Sequence, residues 1–451
     1  MKILFPLLFS LLCSLLFASG SAWAFDNPAP ANEGFKQWVQ QFVADYQKLG
    51  IPQTSLSYVD NFNQIQDAAG ITRQKAFFSQ AAKALQTLQS KALSQEQSYQ
   101  ADLIAYEIKL HQERLALEQD YRQHAPNSVP TGGILQVHNG RAWYRYYIKR
   151  WTSKTTSPDQ LIQFGEKEVA RVRQEIRQIQ TQLGFAGKDA EFYQHLNQPA
   201  LLVRDEAELR KQFQTLHSLI LSRLGSAFET TSIPPVDIQP SPNPTKDTPP
   251  GFYRDNVFYY NFYQQRFDPR ALEWLFIHEA IPGHHYQASL ARSGSPFQGV
   301  FWYGGFAEGW AAYAENLGKD LGAYQDPYRY LGKWEWDLVR SARVVLDIGL
   351  NDQGWSKARA LQYWQQHVPN QDAIAEREVE RMLRWPGQVL AYKVGESEFL
   401  RLREHASQKL GSAFSLPRFH GMVLARGSLP FGVLERVVED GLGRMSWDSD
   451  R

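Results

Sequence analysis

The stretch SPDQLIQFGEKEVARVRQEIRQIQTQLG, residues 157–184, shows most clearly which secondary structure dominates the chain. Ser157 can cap a helix, Pro158 suits its first position, and Gly184 can close its end. Between these residues, apolar side chains recur at alternating spacings of three and four, which places them on one side of a helix. They are Val169, Val172, Ile176, Ile179 and Leu183. The pattern predicts a single amphipathic helix over 157–184.

Helical patterns also occupy most of the remaining chain. In the first half they cover 34–49, 74–93, 97–123 and 204–224, and from Pro269 onward they continue to the C-terminus. Because 43% of the 451 residues are hydrophobic and 13% are aromatic, the chain has ample material for a large core, which excludes a disordered protein. The sequence therefore predicts a mainly α fold built as one large helical body.

One segment interrupts the helical pattern near the middle of the chain. Seven of the eighteen positions from Ile233 to Pro250 are proline, which forbids a helix or a central strand. We therefore predict an N-terminal helical half at 25–232, a proline-rich linker or loop at 233–251, and a second half at 252–451. Just after the prolines, in FYRDNVFYYN at 252–261, two aromatic runs flank a polar Arg-Asp-Asn, which favours a minor β-hairpin.

The first 24 residues have the features of a secretory signal peptide. A positive start is followed by an apolar run and by Ala22-Trp23-Ala24, which fits a cleavage site. The alternative is a retained membrane anchor. The chain's single cysteine, Cys13, follows Leu12 rather than a small residue, so we do not expect lipid attachment. We predict export to the periplasm or the medium, removal of residues 1–24, and no stable membrane anchor afterwards.

Charge and cysteine content exclude two further classes of function. Lys and Arg number 48 against 47 Asp and Glu, so no global positive field favours binding to nucleic acid. Without residues 1–24 the chain has no cysteine, which excludes thiolate catalysis and cysteine-ligated metal sites.

Three of the eleven histidines fall within eight residues, in FIHEAIPGHHYQ at 276–287. The His-Glu pair that begins this cluster resembles the start of the zinc-protease helix. In that helix two histidines one turn apart bind the metal, and the adjacent glutamate acts as general base.

The spacing in this cluster does not suit a straight helix. His284 lies six positions after His278, about 240° around the helix, and His285 shares the face of His278 but lies roughly 10 Å further along. Proline cannot donate back into the helix and glycine permits a bend, so Pro282 and Gly283 predict a break. Such a break would let His278 and His284 converge on one ion.

Carboxylates follow this cluster in GGFAEGWAAYAE, residues 304–315. Glu308 and Glu315 are seven positions apart and share one face of a helix that otherwise carries apolar or small residues. Carboxylates on a buried face need a partner, and a metal cation is one candidate. Alternatively, both glutamates form core ion pairs with arginines. The arginines considered are Arg340, Arg343 and Arg381.

These motifs resemble a known bacterial family, the domain of unknown function numbered 885. HEAIPGHHYQ at 278–287 and EGWAAYAE at 308–315 look like the central motifs of this family. The helix at 157–185 looks like its N-terminal half, and EVER at 378–381 and WPGQVLAYKVG at 385–395 look like its C-terminal signature. The family is grouped with zincin-type metallopeptidases of the gluzincin kind, and the resemblance covers most of the chain.

The resemblance implies a role for each residue of the central motifs. It implies a Zn²⁺ ion held by His278, His284 and Glu308, with Glu279 as the general base. Three protein ligands leave a coordination position for water, as catalytic zinc sites require.

The resemblance also places Tyr392 and Arg381 in the same cleft, where a donor to the developing oxyanion is needed. The chain departs from the family at Asn351, where other members usually have histidine. Asparagine can donate a hydrogen bond but cannot carry charge, so this departure bears on the activity and on its pH dependence.

The leading hypothesis is an exported zinc-dependent metallopeptidase with a peptide substrate. One alternative keeps the site but assigns it a non-peptide amide, and another is a catalytically inactive helical metal-binding or scaffold protein. For the fold, we expect the metal-bearing helix to lie in a central cleft between the two halves. The sequence leaves the oligomeric state open.

Overall fold

The computed structural model describes residues 32–52, 56–124, 127–246, 248–290 and 295–449. The predicted signal peptide at 1–24 lies outside the described residues. Helices dominate and are accompanied by one small sheet, which confirms the predicted fold class. In the described part of the chain, no helix combines enough length with enough apolar character to span a bilayer.

Helices fill the chain before the proline-rich segment. They are α1 (Glu33–Gln47), α2 (Tyr58–Asn63), α3 (Ala68–Gln89), α4 (Gln95–His124), α5 (Gly140–Thr152), α6 (Pro158–Gln182), α7 (Asp189–Leu196) and α8 (Glu206–Arg223). The helix predicted at 157–184 is α6, which begins after a reciprocal capping box between Ser157 and Gln160. It ends just before Gly184, which adopts a left-handed conformation (φ 84°).

Helices also dominate the second half. They are α9 (Leu272–Glu279), α10 (His284–Leu290), α11 (Gly304–Asn316), α12 (Pro327–Asn351), α13 (Lys357–His367), α14 (Asp372–Arg384), α15 (Leu390–Leu410), α16 (Leu416–Leu424) and α17 (Phe431–Ser449). Short 3-10 turns occur at Ile134–Gln136, Pro199–Leu201, Leu224–Ser226, Tyr263–Gln265, Pro269–Ala271 and Gly411–Ala413. Helix α12 is buried almost throughout from Leu331 onward and runs through the interior of this half.

The sheet contains β1 (Asp237–Pro240), β2 (Gly251–Arg254) and β3 (Val257–Tyr260) in the order β1-β3-β2. Strands β2 and β3 form the predicted hairpin. Asp255 and Asn256 have positive φ angles of 51° and 63° at its turn, as a type I′ turn requires. Strand β1 was not predicted, because it lies in the proline-rich segment. An edge strand tolerates proline, and β1 pairs in parallel with β3 on one side only.

The largest hydrophobic cluster contains residues from both sides of the proline-rich segment. It extends in sequence from Phe35 to Leu442. Within it, the ring of Phe213 packs edge-on against that of Phe258, with centroids 5.0 Å apart. Helices α4 and α17 also meet directly, since the Tyr99 hydroxyl donates to Asp440 at 3.0 Å.

Glycines bring helices α11 and α15 into backbone contact. A Cβ atom added at Gly395 would lie 2.1 Å from the carbonyl oxygen of Gly305 and 2.6 Å from Cα of Gly309. Any side chain at this crossing would force the helices apart. The close approach sets the distance between Glu308 on α11 and Tyr392 on α15.

Candidate metal centre

A break between α9 and α10 brings two histidines together. Helix α9 ends at Glu279, Ala280 leaves the helical conformation (φ −106°, ψ −96°), and α10 begins at His284. A Cβ atom at Gly283 would lie 1.8 Å from the carbonyl oxygen of His278, so only glycine fits there. The rings of His278 and His284 consequently meet nearly at right angles, with centroids 4.9 Å apart.

Glu308 on α11 completes a triad with these two histidines. Its Oε2 atom lies 3.7 Å from Nε2 of His278 and 3.4 Å from Nε2 of His284. Two atoms that share one zinc ion at tetrahedral angles are about 3.3 Å apart, so the three ligand atoms fit around such an ion. The side chains of His284 and Glu308 remain 20% and 17% exposed, which leaves one side of the triad open to solvent.

A buried carboxylate orients His278. Nδ1 of this histidine lies 2.8 Å from Oε1 of Glu315, whose side chain is fully buried. Donation of the Nδ1 proton to Glu315 leaves the lone pair of Nε2 directed at the triad, the arrangement usual for a metal-binding histidine. Glu315 is held in turn by Arg340, with N–O distances of 2.6 and 2.8 Å.

The carboxylates give the triad a field that attracts cations. Burial alone would lower the pKa of His278, but Glu308 and Glu315 together raise it to about 9. Burial likewise opposes ionisation of Glu308, yet the two histidines hold the pKa of its carboxyl below the ordinary range. The same surroundings that retain a proton here favour a divalent cation.

Glu279, predicted as the general base, lies next to the triad. Its Oε2 atom accepts a hydrogen bond of 3.0 Å from the backbone N–H of Tyr253 in β2. Burial raises the pKa of Glu279, and the negative charge of Glu308 adds to this effect, while His278 and His284 oppose it. A carboxyl with a raised pKa is a better proton acceptor and donor near neutral pH.

Tyr392 and Arg381, predicted as donors, lie on the α14–α15 side of the triad. The ring of Tyr392 lies parallel to that of His278, with centroids 6.4 Å apart. Its hydroxyl oxygen accepts a hydrogen bond of 3.2 Å from Arg381, which Gln388 holds in place. Burial and then the charge of Glu308 raise the pKa of Tyr392, so its hydroxyl stays protonated and able to donate.

Other residues considered from the sequence do not join the triad. His285 contacts the hydroxyl of Tyr253 and the carbonyl oxygen of Pro234. Arg343 pairs with Glu378, and its guanidinium carbon also lies 5.9 Å from the centre of the Tyr392 ring. The arginine-pairing alternative describes Glu315, through Arg340, whereas Glu308 contacts the histidines.

Asn351 is buried at the end of α12, about 16 Å further along that helix than Arg340. Its amide donates to Asp347 and to the carbonyl oxygen of Met382. Asn351, where the chain departs from the family pattern, therefore belongs to the buried packing around Asp347.

Sequence reasoning missed two contributions to this site. The link from Glu315 to His278 could have been inferred, because Glu315 lies two turns from Glu308 on the same face. The backbone N–H of Tyr253 leaves no signal in the sequence.

A cavity of about 270 Å³ beside α10 and α11 was also not predicted from the sequence. Its walls include Gln287, Ala307 and the aromatic residues Tyr99 and Phe301.

Comparisons with known proteins agree with this architecture. The family described as "Bacterial protein of unknown function (DUF885)" matches residues 26–438. A solved structure from Colwellia psychrerythraea, described as a "putative lipoprotein", is 26% identical over 93% of this chain and 78% of its own, with a TM-score of 0.66. A second, a "putative lipoprotein of unknown function" from Shewanella oneidensis, shares the fold at 18% identity, with coverages of 90% and 88% and a TM-score of 0.59. No curated protein matches the chain.

Proposed function

The chain belongs to the DUF885 family of bacterial proteins, and we propose that it is an exported zinc-dependent metallopeptidase. One observation carries the proposal. His278, His284 and Glu308 offer ligand atoms within 4.8 Å of one another, and Glu279 lies beside them. Two imidazoles, a carboxylate and an open side are the ligand set of a catalytic zinc site rather than a structural one.

The residues of the chain have distinct parts in hydrolysis. His278, His284 and Glu308 would hold a zinc ion, which when bound would supply Lewis acidity toward the scissile carbonyl and a water molecule. Glu279 takes a proton from that water as its oxygen attacks the carbonyl carbon. The same carboxyl then returns the proton to the leaving amine as the C–N bond breaks, so the products are a carboxylic acid and an amine.

Tyr392 and Arg381 supply the donors that this reaction needs. The Tyr392 hydroxyl donates to the oxygen on which negative charge develops. Arg381 holds that hydroxyl by a hydrogen bond to its oxygen and leaves its proton free for the substrate. The Tyr392 hydroxyl is a neutral donor on a rigid ring. Because the Arg381 cation holds it, the hydroxyl is in position before the substrate binds.

We favour an extended peptide as the substrate, because an edge strand lies beside the proposed base. In the described sheet β2 is an edge strand, and the Tyr253 N–H on its unpaired side donates to Glu279. A peptide strand could pair with this edge and pass its backbone close to the proposed base.

Export is supported by two observations. Residues 1–24 have the composition of a signal peptide, and two solved relatives are described as lipoproteins, a class of exported protein. The mature chain is proposed to act in the periplasm or medium without an attached lipid, since Cys13 follows Leu12 rather than a small residue.

A digest of a peptide library tests the function. The purified chain should cleave peptides with zinc, lose cleavage with a chelator, and regain it when zinc is restored. Glu279→Gln should retain zinc and lose about 100-fold or more in turnover, because it keeps the shape and removes the base. His278→Ala and His284→Ala should lose the metal. Glu380→Gln removes an exposed carboxylate paired with Lys357 and serves as the control.

Cleavage by the Glu279→Gln variant at the wild-type rate would exclude the mechanism even with zinc present. Metal retention without cleavage of any library peptide would instead favour the non-peptide amide or the inactive scaffold.

A further inference from the structure

A second group of metal-ligating side chains lies on the surface, outside the site described above. Asp120 and His124 are one turn apart near the end of α4, and His138 comes from the segment that precedes α5. Each offers a ligand atom within 4.8 Å of the other two. We infer that Asp120, His124 and His138 form a separate binding site for a divalent transition-metal ion.

The distances within this surface triad suit a shared ion. Nε2 of His138 lies 3.0 Å from Oδ2 of Asp120, and Nδ1 of His124 lies 3.5 Å from Oδ1 of the same residue. These values bracket the separation of about 3.3 Å between two ligands of one tetrahedral zinc ion. Nδ1 of His124 also lies 3.0 Å from the backbone carbonyl oxygen of Asp120, and an ion would replace that contact. The two imidazole rings lie face to face with centroids 4.0 Å apart, so both rings must turn before their in-plane lone pairs meet at one ion.

Asn139, which precedes α5, holds the carboxylate of Asp120 in position. Asn139 adopts a left-handed conformation (φ 58°) at the start of α5 but does not cap that helix with its side chain. Its amide instead donates to Oδ2 of Asp120 at 2.7 Å. Metal-binding carboxylates are commonly oriented by such a neighbouring donor. Asn139 thus combines a left-handed backbone conformation, which is uncommon for residues other than glycine, with a contact that orients Asp120.

The donor set defines the class of ion. Two imidazole nitrogens and one carboxylate oxygen suit Zn²⁺, Cu²⁺ or Ni²⁺, whereas Ca²⁺ and Mg²⁺ require oxygen ligands. The side chains are between 35% and 49% exposed, so solvent can supply the remaining ligands. An ion bound here would join the end of α4 to the segment that leads into α5.

Zinc binding to the untagged full-length chain tests the inference. After removal of all metal, bound Zn²⁺ per chain is measured by equilibrium dialysis for the wild type and three variants. His124→Ala and His138→Ala should each bind one equivalent fewer than the wild type. His405→Ala removes an exposed histidine that pairs with Glu439 outside both triads, and it should bind as much as the wild type.

A second measurement needs no variant. Zinc should protect His124 and His138 of the wild type from acylation by diethyl pyrocarbonate, as read by peptide mass spectrometry, and should leave the extent of His405 acylation unchanged. Equal zinc content in the wild type and His124→Ala, or unprotected His124 and His138, would overturn the site. The difference in zinc content between the wild type and the His124→Ala variant does not depend on the central triad. A wild type that binds one equivalent and a His124→Ala variant that binds none would support the surface site and contradict the central one.

Discussion

Nδ1 of His278 lies 2.8 Å from Oε1 of Glu315, deep in the protein and on the opposite side of the imidazole ring from Glu308. Arg340 pairs with the same carboxylate, so Glu315 connects a proposed metal ligand to a buried cation on α12. This relationship fixes which nitrogen of His278 is available to an ion. In the proposed metal centre, it would also make the strength of metal binding depend on a residue that does not itself touch the ion.

Replacing Glu315 by glutamine should therefore weaken zinc binding by about 10- to 100-fold, because the charge that increases the basicity of His278 is lost while the side-chain shape remains. Competition against a chelator of known affinity measures the change. Glu380→Gln, at an exposed carboxylate, should bind zinc as the wild type does. Unchanged affinity in Glu315→Gln would show that this carboxylate serves only to pair with Arg340.

Tyr392→Phe should lower kcat by about 100-fold or more and leave KM nearly unchanged, because the hydroxyl stabilises charge that develops only in the transition state. Steady-state kinetics on a peptide identified in the digest provides both constants. Tyr193→Phe, on α7, is a matched removal of a hydroxyl away from the site and should change neither. A rise in KM with constant kcat would assign Tyr392 to substrate binding.

Gly395→Ala should destabilise the protein by roughly 1–3 kcal/mol and also reduce turnover, because the added methyl group meets the backbone of α11 and displaces Tyr392. Denaturant unfolding and kinetics measure the two effects. In Gly432→Ala a Cβ atom would have no neighbour within 4 Å, so stability should change by less than about 1 kcal/mol. Wild-type stability and turnover in Gly395→Ala would show that the helix crossing is not tight.

The buried carboxyl of Asp347 should make stability depend on pH. Burial raises its pKa to about 7, although Tyr144, Gly387 and Asn351 donate hydrogen bonds to it. In the unfolded chain an aspartate loses its proton near pH 4. Between about pH 4 and pH 7 the folded state therefore holds more protons, and the free energy of unfolding falls as pH rises, by roughly 4 kcal/mol in total.

Asp347→Asn should remove this part of the pH dependence, which denaturant unfolding at pH 5 and pH 7.5 measures. Glu335 also has a pKa raised to about 7 by burial, so part of the slope should persist. Asp320→Asn, at an exposed carboxylate, should leave the slope as it is in the wild type. An unchanged slope in Asp347→Asn would mean that Asp347 ionises normally in the folded protein.

The fold could be predicted where residues close together in the sequence specify an element by themselves. The Ser157–Gln160 capping box and the apolar stripe of α6 specify a helix without help from the rest of the chain. The Asp255–Asn256 turn likewise specifies its hairpin. Strand β1 could not be predicted, because its pairing partner lies about 20 residues away and the prolines within and around it argue against a strand.

The candidate site likewise contains features that the sequence predicts and features that it does not. The break at Pro282-Gly283 follows from the chemistry of these two residues, and it predicts the convergence of His278 and His284. Which glutamate meets the histidines and which meets Arg340 depends on how α11 lies against α9 and α12, and helix periodicity alone does not specify that. The Tyr253 N–H depends on the sheet, so no side-chain pattern reveals it.

The shared hydrophobic cluster has a consequence for biosynthesis. Since this cluster includes both Phe35 and Leu442, its last members are translated long after its first. The surface of α4 that packs against α17 must stay uncovered until α17 is available, and contacts between such distant residues form slowly. The nascent chain should therefore require protection from aggregation, and a chain stopped before α17 should be degraded rather than accumulate as a stable fragment.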